Sequence, residues 1–364
     1  MKAPTCDVRK EGRTYILQSK HDIKGAKVTI KMAFTPKSKK IFLAEYSGKG
    51  TWDCVPCLVF FYLSQTIENI LQRYTYLLSG HMTITLEPIH VEGHMELMSY
   101  HGGTKKRINL TTTWHYLIQT IITPYFTGKE PDLEGLGRVI AHEVVGHFGD
   151  TLGGLDKAQR ASERKLYAAN PKLQLLNKVF YDLRAEGLAM YQERFGAKTT
   201  IRKHDIDLFR RNVCKMMRMR DMKKMQAFYE KELLVEEGLY TAGMLMCLTI
   251  ALAQAKRKGV VVDRYPWRWS VHAWAGARAY TVGAIPKRIF MQTYRMIAKN
   301  NVPTLFFRHY TNACKELGIG EDRQAISENL YFALLDKATG IKEALLRTCA
   351  KCNTFVDYYT HKFM

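Results

Sequence analysis

The chain is short of acid. Its 364 residues hold 34 Asp and Glu against 55 Lys and Arg, a formal charge of +21. Such a surface attracts polyanions, whether nucleic acid, an anionic membrane or an acidic protein tail, without choosing among them. Long apolar runs are also lacking. The longest candidate, Leu239 to Ala253, meets Gln254 before reaching the ~20 residues a bilayer needs, so it predicts a buried helix and no transmembrane segment. The first twenty residues contain no apolar core of the kind a secretory signal requires. Eight cysteines over this length are too sparse for a disulfide scaffold. A reducing cytosol is therefore expected, that of the producing cell or of a host cell the protein enters. The glycines of Gly149-Asp-Thr-Leu-Gly-Gly154 are not followed by the Lys-Ser/Thr of a phosphate-binding loop, and no zinc finger, RNA-recognition signature or basic zipper is present.

What is there centres on Val139-Ile-Ala-His142-Glu143-Val-Val-Gly146-His147-Phe148, two histidines and a glutamate in an otherwise apolar segment. An unpaired carboxylate in such a run is costly to bury, so the polar groups need a reason to be there. Zinc peptidases of the His-Glu-x-x-His type put both imidazoles on one helix face. Here the second histidine comes one residue later. On a regular α-helix that step turns the side chains roughly 140° apart, against about 40° for the usual spacing. A π-type turn of about 4.4 residues brings them back within about 50° of one another. Gly146, lacking a Cβ, stands where such a turn meets least resistance.

A catalytic zinc takes three protein ligands and leaves one position open. Glu186, in the helical pattern Leu173 to Phe195, is the first choice for the third ligand because its neighbours are small or apolar. Asp150, three residues after His147, and Asp182, one turn before Glu186, are the alternatives. With the His-Glu-x-x-x-His spacing, the Glu186-Gly-Leu-Ala segment and a following Tyr240-Thr-Ala-Gly243, the chain resembles the glutamate-type zinc metallopeptidases related to the microtubule-associated tyrosine carboxypeptidases. The resemblance spans about residues 133–250. It implies a zincin-like fold, Zn2+ on His142, His147 and Glu186, Glu143 as the base, and carboxypeptidase action above endopeptidase action.

Around this segment the patterns predict an α+β protein. Alternating runs at Thr14–Leu17, Lys27–Met32 and Lys40–Ala44 read as short strands. A long helix follows over Val55–Leu78, then a three-strand antiparallel meander at Met82–Glu87, His94–Tyr100 and Arg107–Thr113, one of whose strands is an edge for a peptide to join. Trp114–Pro124 reads as a helix, and Asp132 as the cap of the histidine helix. The expected parts are an N-terminal α+β part over 1–130, metal-binding helices over 131–255 and a helical lobe over 256–364.

Further candidates lie around the centre. Tyr240 is the preferred donor to an oxyanion, with Tyr280, His272 and Arg278 as substitutes; Arg278, Lys287 and Arg288 are candidates to hold a substrate carboxylate. Arg278-Ala-Tyr280-Thr-Val-Gly283 repeats the Tyr-Thr-x-Gly form of Tyr240. Trp267, Trp269, His272 and Trp274 form an aromatic cluster that suits a core or a substrate wall. Cys54-Val-Pro-Cys57 and Cys349-Ala-Lys-Cys352 are each half of a possible four-cysteine zinc site. The basic, methionine-rich stretch Phe209–Met225 suits a solvated helix face, a polyanion or an anionic membrane surface. These features predict a zinc peptidase acting on a peptide or protein of acidic character. The alternative is a non-enzymatic nucleic-acid-binding or interaction protein.

Overall fold

The computed structural model describes residues 7–48, 52–78, 80–91, 97–104, 106–152, 171–193, 200–201, 222–233, 238–260, 280–281 and 285–299, with isolated positions between 306 and 316. The chain divides into two compact units, Met1–Leu152 and Gly153–Met364.

The first unit is built on a six-stranded mixed sheet. Its strands are β1 (Asp7–Glu11), β2 (Thr14–Ile23), β3 (Ala26–Phe34), β4 (His81–Ile89), β5 (Met98–Thr104) and β6 (Arg107–Thr113), in the spatial order β1-β2-β3-β4-β6-β5. Two tight hairpins make the first three strands antiparallel; the second turns on Lys24 and Gly25, both at positive φ, with the Gly25 N–H donating to Asp22. β4 then enters parallel to β3, and β6 parallel to β4. The expected antiparallel meander is thus corrected to a mixed arrangement: β5 passes to the outside and β6 returns between it and β4. Strand alternation sets which face is buried but carries no information about which neighbour a strand chooses. β5 also runs through the expected turn at His101–Thr104, with a register shift between Tyr100 and Gly103.

Lys40–Ala44, expected as a strand, lies inside helix α1 (Pro36–Glu45). Thr35 caps this helix, trading bonds with Ser38 in a capping box, and Pro36 opens it at a position where no N–H is needed. The short apolar run reads either way by itself, and the cap upstream decides. Helix α2 (Val55–Arg73) buries Val59, Leu63, Ile67 and Ile70 with the Leu17, Ile30, Ile84, Ile108 and Leu110 set of the sheet. Phe34, Phe42, Trp52 and Trp114 form an aromatic cluster with ring centroids 5.4–6.2 Å apart.

After the sheet come α3 (Trp114–Leu117), a π-helical segment Ile118–Ile122 and α4 (Thr123–Phe126). Asp132 then caps α5 (Leu133–Ile140), its carboxylate accepting the Gly135 N–H at 2.8 Å as its place before the apolar run predicts.

α6 (Gly149–Leu152) closes the first unit; the described part of the second unit is mostly helical, with α7 (Pro171–Glu193), α8 (Met222–Phe228), α9 (Gly238–Arg257) and α10 (Lys287–Lys299), and one short strand pair, Thr200–Ile201 with Tyr280–Thr281. α7 and α9 cross backbone to backbone. A Cβ on Gly243 would overlap the Leu183 carbonyl oxygen, and one on Gly187 would overlap the Gly243 backbone. Tyr191 of α7 stacks flat on Phe290 of α10, centroids 3.6 Å apart. Among the described residues no helix is long and apolar enough to cross a membrane; Leu239–Ala253 lies within α9, where Met246, Ile250 and Ala253 are buried.

Candidate metal centre

The helix that begins at Leu133 changes character at Ala141. From Ala141 to Phe148 it is a π-helix, the wide turn that five-residue spacing needs. The imidazoles of His142 and His147 consequently meet, with ring centroids 5.0 Å apart and planes at 71°. Val144, Val145 and Phe148 are fully buried and anchor the segment, while both histidines are half-buried.

Glu143 is 6 % exposed. Its Oε2 accepts the backbone N–H of Tyr100 at 2.8 Å. β5 is an outer strand of the sheet, and Leu97 bonds inward to Thr113 of β6, so strand alternation turns the Tyr100 N–H outward. An edge N–H and a buried carboxylate thus satisfy one another. The Tyr100 ring lies edge-on to Phe148, centroids 6.1 Å apart, which ties the strand to the π-helix a second time.

In the second unit, α7 carries Asp182 and Glu186 one turn apart, both half-buried. The Tyr229 hydroxyl donates to Asp182 Oδ2. Tyr229 is fully buried, and its phenol is pushed far above its usual range: burial contributes most, then the bond to Asp182 and the nearby Asp182, Tyr240 and Glu186. It is therefore a fixed proton donor. Tyr240, half-buried near the start of α9, belongs to the same cluster of polar groups. The Gly187–Gly243 crossing gives these positions a local cause, since each glycine lies within one turn of a cluster member, Gly187 beside Glu186 and Gly243 three residues after Tyr240.

His142, His147 and Glu186 each offer one ligand atom, and these atoms all lie within 4.8 Å of one another. This group could hold a metal ion. Two imidazoles and one carboxylate fit a three-ligand site, with no thiolate to close it. Of the two alternatives for the third position, Asp182 is bonded by Tyr229, and Asp150 is buried at 3 % exposure outside the group.

Lys287 and Arg288 are exposed at the start of α10. Tyr280 lies in a two-residue strand paired with Thr200–Ile201, whereas Tyr240 is helical, so the shared Tyr-Thr-x-Gly form is no structural repeat. His272, Arg278, the tryptophan cluster, Cys349 and Cys352 lie outside the described residues, as does most of Phe209–Met225. Cys54 and Cys57 are exposed thiols at the start of α2. Two participants escaped sequence reasoning. Tyr229 is 47 residues from Asp182 with no spacing to link them, and the Tyr100 contribution is a backbone N–H, which every non-proline residue has.

No protein-family model matches the chain, and no curated protein or solved structure matches it.

Proposed function

We propose that the protein is a zinc-dependent peptidase of zincin type, carboxypeptidase-like, acting on a peptide or protein tail of acidic character. The observation that carries this reading is the group of His142, His147 and Glu186, whose ligand atoms lie within 4.8 Å of one another, the two histidines being carried by a π-helix that suits their five-residue spacing. The likeness of that spacing, with Glu186-Gly-Leu-Ala, to the glutamate-type metallopeptidases supports it from the sequence side.

His142, His147 and Glu186 would hold the ion. Zinc bound there would supply Lewis-acid chemistry to the scissile carbonyl and the attacking water. Glu143 accepts the proton of that water and returns it to the departing amine. The Tyr100 N–H holds one oxygen of this base, Oε2, in a fixed orientation. Tyr240, half-buried within the Tyr229 cluster, is the phenol assigned to the developing oxyanion; Tyr229 is committed to Asp182. The outer edge of β5, whose Tyr100 N–H is taken by Glu143, is the edge that would give an extended substrate its other main-chain groups to pair with. The excess of basic residues favours an acidic substrate, and one of Arg278, Lys287 and Arg288 is the candidate to hold a terminal carboxylate.

Elemental analysis of the purified full chain, beside a His142→Ala, His147→Ala double variant, tests the metal. Wild-type protein should carry close to one zinc per chain and the variant none. Glu143→Gln should keep the zinc while hydrolysis of acidic peptides falls about 10²–10⁴-fold. Wild-type protein that takes up no metal after reconstitution with zinc removes the enzyme reading and leaves the basic interaction protein, which draws on the charge of +21. Zinc lost only on replacing Cys54, Cys57, Cys349 and Cys352 would instead be structural.

A further inference from the structure

A tyrosine whose relative exposure is 0 % has its hydroxyl pointed at an acid one turn before the third ligand. A phenylalanine would fill the same space without the cost of burying a hydroxyl, so the hydroxyl answers to its partner. That partner is the Asp182 carboxylate, and a bond from a neutral donor to an ionised acceptor is of the stronger, charge-assisted kind. Asp182 and Glu186, four residues apart on α7, share a helix face. Tyr229 opens a π-helical segment, Tyr229–Leu233, that continues from α8. Such wide turns set one side chain out of the regular helical register. On another side of α7, Gly187 touches the Gly243 backbone directly. The turn Asp182–Glu186 is thus held by a backbone contact on one side and by the phenol on another, which limits both rotation and sliding of the helix there.

We propose that Tyr229, acting through Asp182, is a positioning residue for the metal ligand Glu186. The assignment rests on the preceding reading of Glu186 as a ligand. The phenol fixes the carboxylate one turn upstream, and with it the side-chain arrangement from which Glu186 projects. Partners of this kind, removed from around a metal, weaken its binding about 10–100-fold.

The test uses the full chain and zinc alone. Zinc affinity is measured by competition with a chromophoric chelator for wild type, Tyr229→Phe, Asp182→Asn and the double variant, at a temperature where each gives a native circular-dichroism spectrum. The visible absorption of the Co2+-substituted proteins is recorded alongside. Tyr229→Phe should weaken zinc about 10–100-fold and shift the cobalt bands. Asp182→Asn, which leaves only a weaker, uncharged acceptor, should weaken zinc in the same direction, and the double variant should be no worse than Tyr229→Phe alone, because once the donor is gone the acceptor has no link left to lose. A purely structural tyrosine would lower the melting temperature and leave zinc affinity and cobalt bands as in wild type, which overturns the proposal. So does additivity of the two substitutions. If Tyr229→Phe does not fold, Asp182→Asn, which removes the acceptor charge and keeps its size, decides alone. Wild-type protein that binds no zinc refutes the ligand reading itself; tight zinc in every variant refutes only the role of Tyr229.

Discussion

Two acids of the candidate centre take hydrogen bonds from groups far away in sequence. Glu143 takes its bond from the main chain of Tyr100, and Asp182 takes one from a phenol 47 residues on. Burial acts on other phenols as well. Tyr74, at the end of α2, is 5 % exposed; its ionisation is pushed up from 10.0 to about 12 by burial, against the opposing charge of Arg73. Its neutral form is favoured in the fold. The corresponding stability is fully present below pH 10, where the unfolded phenol ionises, and is lost as the pH rises through about 12. A rise of that size corresponds to about 3 kcal/mol. Denaturant titrations between pH 10 and 12 should therefore show stability falling with pH in wild type and falling less steeply in Tyr74→Phe. Equal slopes would show that the Tyr74 phenol ionises alike in the folded and unfolded chains.

At the scale of elements, two devices set the geometry: the π-turn that carries the histidines and the glycine crossing of α7 on α9. The crossing has a direct test. A methyl group on Gly243 would overlap the Leu183 carbonyl, a backbone atom that cannot rotate aside as a side chain can. Gly243→Ala should destabilise by about 1–3 kcal/mol, the usual cost of overpacking, read as a lower thermal midpoint. Gly187→Ala forces apart the same two backbones, so combining the substitutions should cost less than their sum. Full additivity, or an unchanged midpoint for Gly243→Ala, would mean that the helices do not meet there.

For the whole molecule, the charge of +21 is the dominant property. It raises encounter rates with acidic ligands and is screened by salt. On the carboxypeptidase reading, a panel of acidic peptides with free C-termini should be cleaved with kcat/KM falling as ionic strength rises, and amidated counterparts should be cleaved poorly. Equal cleavage of free and amidated peptides would count against carboxypeptidase action, and a rate indifferent to salt would detach the charge from substrate capture.

The sequence by itself determined those features that follow from local periodicity and capping. The alternation of Lys27–Met32, Met82–Glu87 and Arg107–Thr113 gives β3, β4 and β6, the apolar pattern from Val55 gives α2, and Asp132 caps the helix that leads to the histidines. The histidine spacing demanded a π-turn, because a covalent interval of five residues admits few ways of bringing two imidazoles together on one helix, and a π-helix is present over Ala141–Phe148. What only the tertiary structure decided is partner choice. Whether β4 pairs parallel or antiparallel, whether Lys40–Ala44 extends or coils, which carboxylate of α7 receives the Tyr229 hydroxyl and where Gly187 meets Gly243 all depend on groups brought together across long intervals of chain. Propensity and periodicity describe one segment at a time; burial and hydrogen-bond satisfaction are settled between segments, after the chain has closed on itself.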